Sequence, residues 1–109
     1  MIDVTFTETP EKLSLRLEGH AGYAEVDKDI VCASASILAY TVAQYVKYED
    51  EQGNLKTPAE IKLESGDYVV SCEPKEEIVK WLWDAYQFAK MGFILLAHNY
   101  PQYVRLIES

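Results

Sequence analysis

Two residues near the start of the sequence, Cys32 and His20, form the pair best suited to chemistry. Cys32 lies in the first turn of a predicted helix, where unpaired backbone N–H groups and the helix dipole stabilise an anion and so favour a thiolate. His20 ends a predicted strand. If its imidazole reaches the thiol, it can take the proton and later return it to a leaving amine. A structural interpretation is also open, in which Cys32 is a small buried hydrophobic residue and His20 is a polar loop residue.

Asp29 stands immediately before that helix and has two interpretations. As a helix N-cap, its carboxylate accepts hydrogen bonds from the first backbone N–H groups. As a catalytic support, it orients the imidazole of His20. Because an anion beside Cys32 disfavours the thiolate, Asp29 helps catalysis only if it also orients or charges His20.

Small residues surround the proposed pair. Ser34 and Ser36 leave little bulk near the sulfur, so an extended peptide can approach it. The amides of the first helical turn are predicted to stabilise a developing oxyanion. Gly19 and Gly22 bracket His20, which is typical of a loop that can bring the strand end to the helix start.

The elements that hold these residues follow from hydrophobic periodicity. The pattern predicts, in chain order, a hairpin over 2–17, a helix over 30–48, a second hairpin with Ser65-Gly66-Asp67 at its turn, a helix over 75–99 and a strand over 103–107. The acidic run 49–54 is predicted to be a solvated loop. We therefore expect one α+β domain over residues 1–109, with the order β-β-α-β-β-α-β and two helices on one mixed or antiparallel sheet.

Several other residues receive structural interpretations. Cys72 alternates with Val70 and is expected to face the core, and His98 is expected to be a helix C-terminal charge. Further aromatic residues recur at helical spacing and are expected to form core and a homodimer contact; they are Tyr40, Tyr45 and Tyr48 on the first helix and Trp81, Trp83, Tyr86 and Phe93 on the second.

Composition narrows the classes of partner. The 109 residues carry a formal net charge of -8, which disfavours direct binding to nucleic acid or to anionic membranes and favours a basic polypeptide. No run approaches the roughly 20 apolar residues of a membrane helix, and no export signal is evident, so we expect a cytoplasmic protein with free thiols. We expect neither a metal nor a cofactor, because the sequence has no metal-ligand spacing and no glycine-rich phosphate loop.

The sequence resembles the signature of the bacterial ribosomal-processing cysteine protease family at two segments, Gly19-His20-Ala21-Gly22-Tyr23-Ala24 and Asp29-Ile30-Val31-Cys32-Ala33. The likeness extends over nearly the whole chain, through the Ser65-Gly66-Asp67 turn to Asn99-Tyr100-Pro101-Gln102-Tyr103-Val104. The sequence departs from the family's common pattern at Ser34 and Ser36, which make the helix start rich in hydroxyl groups, and at the bulky Tyr40, and neither departure removes a catalytic group.

The resemblance implies a cytoplasmic homodimer that removes the N-terminal extension of a large-subunit ribosomal protein before ribosome assembly, cutting next to aromatic residues. It implies Cys32 as nucleophile and His20 as base. Asp29, Ser36, Gly19 and Gly22 would then support the site or the substrate backbone. The loop 21–28 would be a flap that orders when peptide binds.

Three alternatives remain open on the sequence. The chain fits a non-catalytic module that docks basic ribosomal proteins on its acidic surface. It fits the same protease acting on a different protein, for example one of a mobile element. A redox sensor using Cys32 and Cys72 requires the two sulfurs to approach each other.

Overall fold

Apolar residues along four of the five strands create one buried sheet face, and two helices pack on it; the remaining strand, Glu60–Glu64, is exposed along its length. The computed structural model describes residues 1–25 and 28–108. Its elements are β1 (Ile2–Glu8), β2 (Leu13–Glu18), α1 (Ile30–Glu51), β3 (Glu60–Glu64), β4 (Asp67–Cys72), α2 (Val79–Asn99) and β5 (Val104–Glu108), with a 3-10 helix (Glu76–Ile78) leading into α2. The predicted α+β class and the order β-β-α-β-β-α-β are confirmed.

The sheet is mixed, with the strand order β3-β4-β2-β1-β5. β5 runs parallel to β1, and the remaining neighbours pair antiparallel. Leu15 in the central strand lies opposite Phe6 on one side and Val70 on the other. This pairing puts the end of β2 next to the β3–β4 turn, because Glu18 lies opposite Asp67.

The core fixes α1 against β4 of the sheet and against α2. Val31, Ala35 and Val46 of α1 are buried, as are Leu82 and Phe93 of α2. Burial of one such large apolar side chain stabilises the fold by roughly 1.5–3 kcal/mol relative to leaving it exposed. Because the first turn of α1 takes part in this packing through Val31, the position of the neighbouring Cys32 is set by the core.

Helix α1 is longer than the sequence pattern predicted. It continues to Glu51, and Glu49 is buried, where its carboxylate accepts hydrogen bonds from the Tyr45 hydroxyl (3.3 Å) and from Nδ2 of Asn54 (3.2 Å). By length and composition α1 is also apolar enough to cross a membrane, which corrects the expectation that no run of the sequence approaches a membrane helix. Its buried residues pack within the core beside the sheet and α2, as in the core helix of a globular fold.

Helix α2 buries one face and leaves a second apolar face uncovered. Tyr86 and Phe93 are almost fully buried, whereas Phe88, Met91 and Leu95 are 79%, 60% and 62% exposed. A groove of about 480 Å³ runs between α1 and α2, and Phe88, Met91 and Leu95 line it. Trp81 and Trp83 are also exposed, so they lie outside the core.

Candidate active site

Three elements meet at one cavity of about 560 Å³: the end of β2, the start of α1 and the turn between β3 and β4. All six residues singled out around the predicted catalytic centre line it, namely Gly19, His20, Gly22, Asp29, Cys32 and Ser36. The convergence follows from topology, since β2 pairs with β4 and the loop after β2 leads directly into α1.

Cys32 is half-buried at this cavity with its sulfur next to the loop that follows β2. Its Sγ accepts a hydrogen bond from the backbone N–H of Ala21 at 3.3 Å. Ala21 directly follows His20 and is itself buried. The residue after the predicted base is therefore tied to the predicted nucleophile.

Asp29 is a helix N-cap in the structure. Its Oδ1 accepts from the backbone N–H groups of Val31 (3.0 Å) and Cys32 (2.9 Å). Its Oδ2 accepts from the N–H groups of Tyr23 (3.1 Å) and Ala24 (3.4 Å). One carboxylate thus joins the start of α1 to the loop after His20.

The charge state of Asp29 reflects these contacts. Burial tends to raise the pKa of its carboxyl group, but hydrogen bonds from the backbone of Cys32, Ala24 and Tyr23 and from the Cys32 side chain outweigh burial and lower the pKa. In the described part of the chain, no hydrogen bond joins Asp29 to His20. The cap geometry also occupies the N–H groups of Val31 and Cys32, so these two amides are not free to receive an oxyanion as the sequence had suggested.

His20 is solvent-exposed, and its ring lies against the backbone of Gly66. Gly66 has a φ of +75°, which favours glycine, and a Cβ there would lie 2.6 Å from Nε2 of His20, so a side chain at position 66 would displace the ring. The N–H of Gly19 donates to the carbonyl of Gly66 at 2.9 Å, which ties the strand end to the same turn. Among the described residues no hydrogen bond links His20 to Cys32, although both line the cavity.

The backbone next to His20 is held from a second direction. The ammonium group of Met1 donates to the carbonyl of His20 at 2.5 Å. Gly19 has a φ of +97°, and a Cβ there would lie 2.4 Å from the Met1 carbonyl oxygen. A side chain at position 19 would therefore push β1 away from the loop that carries His20.

Sequence reasoning missed two residues at this cavity, Gly66 and Tyr68. The sequence pattern predicts a turn at Gly66 and a strand after it, which does not place Gly66 or Tyr68 at a site. Tyr68 lines the cavity, and its hydroxyl lies 3.0 Å from Oγ of Ser36. The available signal was the register of β4 against β2, which places Tyr68 opposite Leu17, two residues before Gly19.

The predicted flap, residues 21–28, is described in part. Val26 and Asp27 lie outside the described residues. Tyr23 packs edge-on against Tyr100 and Tyr103, with ring centroids 5.6 and 5.2 Å apart. The first half of the loop is therefore anchored both by Asp29 and by the segment before β5.

Cys72 occupies a different environment from Cys32. It is buried in β4, and burial raises the pKa of its thiol to about 11, partly offset by a hydrogen bond with Tyr86. Among the described residues, no group of three or more His, Cys, Asp or Glu side chains is placed to hold a metal ion.

Comparison with known proteins finds solved structures of the same fold. Solved structures of an essential ribosomal processing protease Prp from S. aureus are similar over 100% of both chains; the complex with a covalently linked product peptide has a TM-score of 0.76 at 19% identity, and the complex with a substrate peptide 0.70 at 18%. SMU.848 from Streptococcus mutans is 28% identical with a TM-score of 0.62, over 99% of this chain and 93% of the other.

At these identities the S. aureus structures establish the shared fold. No curated protein sequence matches significantly. The family model of the cysteine protease Prp matches residues 1–105. This chain therefore belongs to the Prp family of cysteine proteases.

Proposed function

We propose that this cysteine protease removes the N-terminal extension of a large-subunit ribosomal protein, with Cys32 as nucleophile and His20 as general base. The observation that carries the proposal is the shared cavity of these two side chains, with the backbone of Ala21 bonded to the Cys32 sulfur. The S. aureus ribosomal processing protease, which has the same fold, was solved with a product peptide and with a substrate peptide, which supports a peptide substrate.

In the proposed reaction, His20 takes the thiol proton and Sγ of Cys32 attacks the carbonyl carbon of the scissile bond. His20 then gives the proton to the leaving amine, and water hydrolyses the thioester. His20 and Cys32 line the same cavity, and the reaction requires the imidazole to come within hydrogen-bond reach of the sulfur. The N–H of Ala21 already points at Sγ, so it is the amide we assign to the developing oxyanion.

The alternative of a non-catalytic binding module is less favoured than proteolysis. Cys32 is half-buried at a cavity, whereas Cys72 has the buried position of a structural cysteine. The redox alternative is also disfavoured, because Cys32 lies at the start of α1 and Cys72 ends β4 facing the core.

We further propose that the protease is a cytoplasmic homodimer. The cytoplasm is where ribosomal proteins are synthesised and assembled, so the proposed substrate requires that location. The uncovered face of α2 supports the homodimer. Phe88, Met91 and Leu95 form an apolar stripe there, and they line the apolar groove between α1 and α2. A second copy can place its own stripe in that groove about a twofold axis.

Mass spectrometry of the host's ribosomal proteins, each with its N-terminal extension, tests the proposed activity. We expect one truncated product with the wild-type protein and none with Cys32→Ala. His20→Ala should lower the cleavage rate about 10²- to 10⁴-fold, the usual contribution of a general base. Cys72→Ala is the matched control and should still cleave.

Thiol alkylation separates the outcomes. Because burial raises the pKa of Cys72 to about 11, Cys72 should react slowly with iodoacetamide near neutral pH, and rapid labelling should map to Cys32. Rapid labelling of Cys32 without cleavage would support Cys32 as the nucleophile but reject a ribosomal protein as the substrate. An inert Cys32 that cleaves nothing would favour the binding module.

A further inference from the structure

Three residues of α1 lie in a row above the cavity. Cys32, Ser36 and Tyr40 are four residues apart, so they project from the same face of the helix. That face meets β4 at Tyr68, whose ring lies 5.7 Å from the ring of Tyr40. Along the helix the Cys32 sulfur is therefore followed by the hydroxyl groups of Ser36 and Tyr40, and the hydroxyl group of Tyr68 lies beside them on the sheet.

Ser36 differs in its hydrogen bonding from the other serine and threonine residues of α1. Ser34 and Thr41 donate to the carbonyl oxygens four residues earlier, each at 2.7 Å, so their protons stay within the helix. Ser36 instead has its Oγ 3.0 Å from the hydroxyl of Tyr68. Both Ser36 and Tyr68 line the cavity that holds Cys32.

The geometry of the Ser36–Tyr68 hydrogen bond allows either hydroxyl to donate, and the acidity of the two groups favours one direction. A phenol is more acidic than an alcohol, so the Tyr68 hydroxyl is the better donor and Oγ of Ser36 the better acceptor. Tyr40 lies beside the same hydroxyl, and its hydrogen bond with Tyr68 raises the pKa of Tyr40, so Tyr40 stays protonated. With its oxygen engaged as an acceptor, Ser36 can turn its own proton into the cavity.

We propose that Tyr68 is a positioning residue for peptide binding: it donates to Ser36 and so aims the Ser36 hydroxyl at a carbonyl oxygen of the bound peptide. The inference rests on the proposed protease function and adds the residue that controls Ser36. Tyr40 packs against Tyr68 and limits the motion of its ring. The contact to the carbonyl is made in the ground state and in the transition state, so it should act on KM rather than on kcat.

Steady-state cleavage of the extension peptide that the wild-type protein cuts provides the test. Tyr68→Phe keeps the ring and removes only the hydroxyl, and we expect KM to rise about five- to tenfold with kcat unchanged, as for one lost hydrogen bond. Ser36→Ala should give a similar rise, and the double variant should match Ser36→Ala because the two hydroxyls act as a unit. Ser34→Ala, whose hydroxyl is bonded within the helix, is the control and should leave KM unchanged.

Alkylation of Cys32 by iodoacetamide distinguishes positioning from a structural defect, because that reagent needs no peptide site. Its rate should be the same in Tyr68→Phe as in the wild type. Three outcomes would overturn the role of Tyr68 and leave the proposed function standing. They are an unchanged KM in Tyr68→Phe, multiplicative effects on KM in the double variant, and a loss of Cys32 alkylation in parallel with the change in KM. Failure of the wild type to cleave any extension would overturn this inference together with the proposed function.

Discussion

Asp29 joins two segments of the site through the hydrogen bonds of its carboxylate. Its two oxygens accept four backbone N–H groups, two from α1 and two from the loop after His20. Oδ1 therefore caps the helix, and Oδ2 holds the loop. A substitution that keeps one oxygen and replaces the other tests them separately.

Asp29→Asn keeps one carbonyl oxygen for Val31 and Cys32 but places an NH₂ group against the N–H groups of Tyr23 and Ala24. We expect a loss of about 1 kcal/mol in the free energy of unfolding, the usual value of such hydrogen bonds. Hydrogen exchange should show faster exchange at the amides of Tyr23 and Ala24 than in the wild type. Unchanged protection at those two amides would contradict the proposed attachment.

The same substitution has a pH dependence with a definite sign. The pKa of Asp29 is lowered below its ordinary value of 3.8, so the carboxylate stabilises the fold fully above that pH. The contribution is lost as the pH falls through the lowered pKa, where the folded protein takes up the proton. The difference in unfolding free energy between wild type and Asp29→Asn, measured by urea denaturation, should therefore shrink below about pH 4.

Sequence reasoning identified the residues whose partners are close along the chain. Cys32 and Asp29 lie at one helix start, so their types and spacing predicted the cap directly. Gly66 and Tyr68 were missed because they reach the cavity only through the pairing of β4 with β2, and a strand pattern does not specify its partner. For the same reason the sequence permitted contact between His20 and Cys32 but did not determine their separation.

At the level of elements, type and order were predictable, whereas boundaries and exposure were not. The end of α1 was placed too early because the acidic residues after Tyr48 suggested solvent. Glu49 is nevertheless buried, since Tyr45 and Asn54 supply hydrogen bonds to its carboxylate. Helical spacing likewise grouped Trp83 with Tyr86, although only Tyr86 faces the core.

The uncovered face of α2 leads to a prediction about assembly. Phe88→Glu puts a charge at the most exposed residue of the apolar stripe without opening the core. If a second copy covers this face, burial of that charge is costly, and sedimentation should show a dimer for the wild type and a monomer for the variant. The control is Ile107→Glu, which adds the same charge on β5, opposite Thr5 of β1. A wild-type monomer, or dissociation in the control as well, would reject the α2 interface.

At the level of the whole molecule, charge is the property that the sequence gives without any structure. A net charge of -8 on 109 residues creates a long-range field that attracts basic polypeptides. Ion pairs such as Arg105 with Asp3 and Lys62 with Asp67 lie at the surface and stabilise the fold little. The excess of acidic residues therefore bears on encounter with a substrate more than on folding.

This field predicts a salt dependence of cleavage. Raising the ionic strength from about 0.05 M to about 0.5 M shortens the Debye length severalfold, so KM for a basic extension peptide should rise while kcat stays constant. A peptide with its lysines and arginines replaced by glutamine is the matched control, and its KM should be nearly independent of salt. If both peptides respond equally, salt acts on the site or on the fold, and the acidic surface does not guide the substrate. A response confined to the basic peptide would mean that the overall charge selects the class of substrate and the Cys32 cavity selects the bond.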